Sequence, residues 1–159
     1  MQAAERKHNP FINSPAGGRA LSALQLPFFL MRPPRGYGIL TTTGRRTGRA
    51  RRRCIRAIRR DDVVYVVAIK GKTQWAMNAL ANPAVQLRLP GGNFSGRARV
   101  VSGETESRRA KQAYCESVHR FDYLTWINWR RGRPTRAKIT ELLRGWCDEG
   151  THLVIELRE

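Results

Sequence analysis

Val85, Leu87 and Leu89 alternate with Gln86 and Arg88, the period of two that turns every second side chain of a strand toward a core. Pro90-Gly91-Gly92 follows as a turn and Phe94 to Val101 as the partner strand. Val63 to Ile69 is instead a nearly continuous apolar run, the pattern of a strand buried on both faces. Asp61-Asp62 before it is a turn signal, because short acidic side chains bond their own backbone there. Tyr37 to Thr43 is rich in β-formers and stops at Gly44, Cys54 to Ile58 reads as a second strand across an Arg/Gly loop, and Leu153 to Leu157 closes the chain as a strand. The pattern thus predicts six strands.

Helical signals lie between and around them. Leu21 to Met31 forms a short helix that Pro33-Pro34 stops. Thr73 caps a helix through Leu80, ended by Asn82-Pro83. Glu104 to about Arg120 is a helix with acidic residues in its first turn, where the macrodipole favours them. Tyr123, Trp126, Ile127 and Trp129 form an aromatic cluster, and Thr135 caps a last helix to about Asp148, ended by Gly150. Closely spaced strands with few helical interruptions predict a mainly β fold with peripheral helices, an antiparallel barrel or sandwich. Residues 1–19 read as a flexible N-terminal segment and residues 20–159 as a single domain.

Charge changes the picture next. The 159 residues carry 30 Lys+Arg and 12 Asp+Glu, a net charge of +18. Between Arg6 and Arg60 there are 14 basic residues and no acid, nine of them arginines within Arg45 to Arg60. Such a density attracts a polyanion: nucleic acid, an anionic membrane, or a ligand bearing phosphate and carboxylate. The skew of 25 Arg to 5 Lys also admits arginines that are only solvated surface. Cys54, Cys115 and Cys147 are far apart and form no C-x-x-C pair, which predicts three separate thiols in a reducing compartment. His8, His119 and His152 are equally scattered, so no metal is expected. The apolar stretch from Ala20 to Met31 is about half the ~20 residues that span a bilayer. It is read as an amphipathic element that packs on the domain or touches a membrane surface beside its arginines.

The densest chemical signal is Thr41-Thr42-Thr43-Gly44-Arg45-Arg46-Thr47-Gly48-Arg49-Ala50-Arg51-Arg52. Backbone N–H groups around its glycines, hydroxyls and guanidinium forks can surround a phosphate; a hairpin loop using glycine for turn geometry has the same pattern. A second segment runs Val66-Val67-Ala68-Ile69-Lys70-Gly71-Lys72-Thr73-Gln74-Trp75-Ala76-Met77-Asn78-Ala79-Leu80-Ala81-Asn82-Pro83. In order and spacing, these two segments resemble the two signatures of the deazaflavin-dependent nitroreductase family, also described as quinone reductases using the coenzyme F-420. The resemblance runs from about Ile39 to Val101, and more loosely through Arg131-Gly132-Arg133-Pro134-Thr135 and Val154-Ile155-Glu156-Leu157.

That resemblance implies a split β-barrel of the flavin-binding type. It places the phosphate-binding loop on Arg46, Thr47, Gly48, Arg51 and Arg52, and the strand edge beside the deazaflavin ring on Ala68, Ile69, Lys70 and Gly71. Trp75 and Asn78, three apart on one helical face, flank the cofactor in the family; from the residues alone Trp75 is equally a core side chain and Asn78 a helix-end hydrogen bonder. Tyr123 and Trp126 are the substrate-lining candidates, against a role in fastening helices to the barrel. A deazaflavin supplies its own hydride chemistry, so no catalytic residue is required, and FMN is the second cofactor that such a fold admits. The departures are Cys54, where many relatives have proline, and a short Gly71–Trp75 loop. The implied protein is a cytoplasmic oxidoreductase passing hydride from reduced deazaflavin to a quinone, nitroaromatic or similar small electrophile, with weak association to an anionic membrane at its inner face. An Arg-rich nucleic-acid-binding protein and a non-catalytic flavin or deazaflavin binder are the alternatives.

Overall fold

Alternation and register settle the strands. The computed structural model describes residues 24–69, 73–130 and 132–158, the side chains of Asn128 and Trp129 excepted; the N-terminal segment 1–19 therefore lies outside the described residues. A helix over residues 24–31 (α1) precedes β1 (Tyr37–Thr43), β2 (Ala50–Arg56), β3 (Ile58–Arg60) and β4 (Val63–Ala68). Then come α2 (Gln74–Ala81), β5 (Ala84–Leu89), β6 (Gly92–Val100), α3 (Glu104–Glu116), α4 (Arg120–Trp129), α5 (Arg136–Glu149) and β7 (Thr151–Arg158). Seven strands form rather than the six expected, because Ala57 divides the second. Its N–H leaves the ladder to donate to Gly36 O at 2.8 Å, and its side chain turns into the core. β2 also reaches back into the arginines to Ala50, since pairing with β1 satisfies the backbone whatever the side chains are. The helix expected from Glu104 to Arg120 stops at Glu116, and the aromatic segment forms a separate helix.

All strand pairs are antiparallel, in the order β2-β1-β5-β6-β7-β4-β3. β2 and β3 are thus the two edges of the sheet, yet a single residue joins them. The sheet must curl until its edges meet, and the chain itself closes the barrel at Ala57. Leu40, Val66, Leu87, Leu153 and Ile155 fill the interior together with Ala76 and Ala79 of α2. Outside, α3 and α5 lay Tyr114, Ile139, Leu143 and Trp146 over Tyr65, Val67 and Val154. At the start of β1, Phe29 of α1 packs on Tyr37 and Ile39, its ring 5.5 Å from that of Phe121 on α4. This is the mainly β split barrel with peripheral helices that the sequence implied.

Two buried features tie the helices down. Cys115 of α3 and Cys147 of α5 meet as a disulfide, with Cα atoms 7.1 Å apart, leaving Cys54 a free thiol. This corrects the expectation of three separate thiols: both cysteines lie on the buried faces of two helices that pack together, a proximity that their 32-residue separation conceals. The second feature is charged. Asp122, near the start of α4, accepts from Arg56 Nε at 2.9 Å, Tyr37 Oη at 2.5 Å and His119 N at 2.7 Å. Arg56 also donates to the carbonyls of Tyr114 and Ser117. Every side of this buried pair is satisfied, which is what makes burying two charges tolerable.

Candidate functional site

The loop between β1 and β2 is held by its own backbone. Gly44 N donates to Arg49 O at 2.8 Å, Gly48 N to Gly44 O at 2.8 Å, and Arg49 N to Thr47 Oγ1 at 3.3 Å. Gly48 has φ of +67°, a conformation that side chains other than glycine's resist. The glycines therefore make the turn. The idea that N–H groups beside them converge on an anion is corrected, because those of Gly44 and Gly48 are already used. Any anion held here is held by side chains.

Two of those side chains were hidden in the sequence. Arg45, which the motif did not single out, donates from Nη1 to Gln74 Oε1 and Asn78 Oδ1, both at 3.0 Å, while its N–H also reaches Asn78 Oδ1 at 3.2 Å. Gln74 and Asn78 are four apart and so share a face of α2. Asn78, buried, thereby fastens the loop to the helix, and Asn82 Nδ2 adds a bond to Thr43 O at 3.4 Å. Trp75 packs partly buried against the barrel interior, and Ala68 is wholly buried and paired with Thr151. Ile69 leads from β4 toward α2; Lys70 and Gly71 lie outside the described residues.

Register divides the arginines. Cross-strand partners stand on one side of a sheet. Arg51 pairs with Thr42, on the face that Leu40 carries into the barrel interior, whereas Arg52 pairs with Thr41 on the outer face. Arg46, Arg51 and Arg52 are exposed, and the printed ion pairs of the chain, Arg56–Asp122, Arg99–Glu106, Arg99–Glu156 and Arg108–Glu104, lie elsewhere. Thr42 is 2% exposed and its Oγ1 has no hydrogen-bond partner among the described residues. Thr73 Oγ1, at the N-terminus of α2, is likewise buried and unpartnered. Buried hydroxyls without partners cost free energy, so a polar ligand reaching them would be favoured. Nothing in the sequence marks Thr42 among three consecutive threonines; only its place on the inward face does.

The substrate-lining candidates fall elsewhere. Trp126 is buried in the cluster of α3, α4 and α5, with Lys138 Nζ 5.7 Å from its ring centre. Tyr123 is 37% exposed on α4. Neither belongs to the cluster that contains α2, so the structure does not gather them with the loop. Trp126 is core because α4 forms its own turn of helix against α5, which the aromatic spacing alone did not show. The side chain of Trp129 lies outside the described residues.

Known structures share this architecture. An F420-H2 dependent reductase, FDR-A, superposes with a TM-score of 0.52 at 20% identity, over 77% of this chain and 95% of that one. A 5-nitroimidazole antibiotic resistance protein from Bacteroides thetaiotaomicron gives 0.53 at 7% identity, over 86% and 80%. The heme storage protein HutZ from Vibrio cholerae gives 0.52 at 12%, over 86% and 89%. At such identities the likeness is one of fold, and the fold serves unlike ligands. No curated protein matches the sequence. A family model does, across residues 30–130, which include the loop, α2 and the strands that carry them. On that match the chain belongs to the F420H(2)-dependent quinone reductase family, a family of oxidoreductases.

Proposed function

We propose that the protein is a cytoplasmic oxidoreductase that binds the reduced deazaflavin at the corner formed by the β1–β2 loop and α2, and reduces a quinone, nitroaromatic or similar small electrophile. The observation that carries this reading is the pairing, within the family-matched residues, of unengaged arginines with buried hydroxyls that lack partners. The deazaflavin, when bound, supplies hydride from its ring. The chain's own residues bind and orient. Arg46 and Arg51 offer guanidinium forks to phosphate and carboxylate groups, with Arg45 holding the loop against α2 through Gln74 and Asn78. Thr42 and Thr73 offer hydroxyls on the inner side of the corner. Trp75 and the stretch Ala68, Ile69, Lys70 and Gly71 form the wall beside the ring; with Ala68 buried, contact begins at Ile69. Among the described residues no helix is long and apolar enough to cross a membrane, and the expected contact with a bilayer is peripheral.

The test is binding followed by turnover. Arg46→Ala and Arg51→Ala each weaken deazaflavin binding tenfold or more, the ~1.5 to 3 kcal/mol of a charge-assisted hydrogen bond, while Arg158→Ala changes it little. Fluorescence titration with the deazaflavin, and with FMN for comparison, reads this directly. Equal losses at all three positions would mean that overall charge holds the ligand. Reduction of a panel of quinones and nitroaromatics by the loaded enzyme then identifies the acceptor.

A further inference from the structure

The arginines that the loop does not use lie in order on the outside of the barrel. Arg52 pairs with Thr41, Thr41 with Gln86, Gln86 with Ser95 and Ser95 with Arg158, making one row across β2, β1, β5, β6 and β7. The next row is Cys54, Ile39, Arg88 and Asn93. Both stand outside, because Leu40 and Leu87 between them point into the barrel interior. Arg52, Gln86, Ser95 and Arg158 are exposed. At one end of this face, over Tyr37 and Ile39, sits α1.

What α1 turns away from the barrel is apolar. Leu24, Phe28 and Met31, spaced four and three apart, are 72%, 73% and 82% exposed. The neighbouring α4, joined to α1 through Phe29 and Phe121, exposes Leu124 at 54% and Ile127 at 51%, beside Tyr123. Large side chains exposed together on two adjacent helices mark an interaction surface rather than incidental exposure. Around them stand the exposed Arg32, Arg35 and Arg120. No acid occurs between Arg6 and Arg60, and the one acid of α4, Asp122, is buried on Arg56. The surface is therefore apolar at its centre and cationic at its rim.

We propose that this face docks the protein on an anionic bilayer, with Leu24, Phe28, Met31 and Ile127 entering the boundary between headgroups and acyl chains. Arg32, Arg35, Arg88 and Arg120 then meet the lipid phosphates, the combination that holds interfacial helices at a membrane. A symmetric dimer through the same face would set each arginine row against its own copy, at an electrostatic cost. Nucleic acid would answer the arginines but leave the aliphatic side chains in water. The docking deepens the proposed function by naming where a lipid-soluble acceptor is met, and rests on that reading for the acceptor alone.

Sedimentation of the full chain with vesicles tests it, using phosphatidylcholine alone and phosphatidylcholine mixed with phosphatidylglycerol. The protein partitions about tenfold or more strongly onto the anionic vesicles. The double substitution Phe28→Ser/Met31→Ser lowers that partition about tenfold, Ile127→Ser lowers it several-fold, and Arg88→Gln weakens binding to the anionic vesicles only. These side chains are exposed or at the rim, so the melting temperature holds, and deazaflavin affinity measured without vesicles stays unchanged. Failure of the wild-type protein to bind anionic vesicles, or equal partition of wild type and Phe28→Ser/Met31→Ser, overturns the docking. So does a wild-type dimer that Phe28→Ser/Met31→Ser dissociates, which makes the occupant a second copy, or a DNA duplex that displaces the protein from vesicles and binds the double variant equally. Vesicle binding without deazaflavin binding leaves the docking standing and removes the oxidoreductase reading.

Discussion

Arg51 and Arg56 stand five residues apart on β2 and meet opposite fates. Arg56 is buried, with Asp122, the Tyr114 carbonyl and the Ser117 carbonyl taking its protons. Arg51 is exposed beside a hydroxyl that has no partner. An arginine whose donors are all used inside the fold is architecture, whereas one whose donors face out at a cleft is available to a ligand. The surroundings show the same contrast: burial, reinforced by Asp122, raises Tyr37 well above its ordinary pKa, and burial pushes Tyr114 up to about 12. Both phenols thus stay neutral beside the ion pair. The largest expected effect follows from this network. Asp122→Ala leaves Arg56 buried without its counter-charge and costs about 3 to 5 kcal/mol, measured by urea denaturation. Replacing both partners, Arg56→Met with Asp122→Leu, recovers much of that loss.

The second contrast concerns the loop's anchor. Asn78 Oδ1 takes two bonds from Arg45, so Asn78→Ala costs about 1 to 3 kcal/mol of stability and loosens the loop. Deazaflavin affinity falls with it, although the side chain's acceptor is already spent within the protein. Asn78→Asp separates the roles. It keeps an acceptor for Arg45, so stability is largely retained. A stable Asn78→Ala variant with unchanged affinity would show that α2 does not position the loop.

How much of this was legible depends on whether the signal was local. β1 has the bounds its β-formers and Gly44 predict, and Thr135 caps α5 by accepting from Lys138 N, because turn and cap chemistry is written within a few residues. β5 keeps its alternation for the same reason. The break at Ala57 was not legible, since its cause is Gly36 across the sheet. The end of α3 was not either: Ser117 and His119 are fixed by Arg56 and Asp122, which are remote from α3 in sequence or come after it. At the candidate site, the run of arginines was visible but not its division into inward Arg51, outward Arg52, buried Arg56 and bridging Arg45. That division is register, and a one-residue change of register reverses it.

Arg52 is where the division can be broken. It shares a motif with Arg51 but stands on the outer face with Thr41. Arg52→Ala should therefore lower deazaflavin affinity less than about threefold, against tenfold or more for Arg51→Ala, with both variants within about 0.5 kcal/mol of the wild-type stability. Equal losses would mean that the ligand wraps the edge strand and touches both faces.

The smallest effect is a slope. His119 lies between the ion pair and the start of β1, where a side chain at Gly36 would collide with its ring. Burial first, then the positive charges of Arg56, Arg60 and Arg35, lower its pKa from the ordinary 6.5, with Asp122 opposing them. The folded protein then binds fewer protons at this site than the unfolded chain once the pH drops toward 6.5. Stability is full above 6.5 and declines as pH falls from there through the lowered value. Glu106 titrates far below that window: its bond from Arg99, then one from Ser102 N, holds it at about 2. Denaturation midpoints for the wild type should thus fall between neutral pH and a pH below 6.5, and His119→Gln should flatten that decline. A decline of the same size in the variant would place the titrating group elsewhere and leave His119 as packing against Gly36 alone.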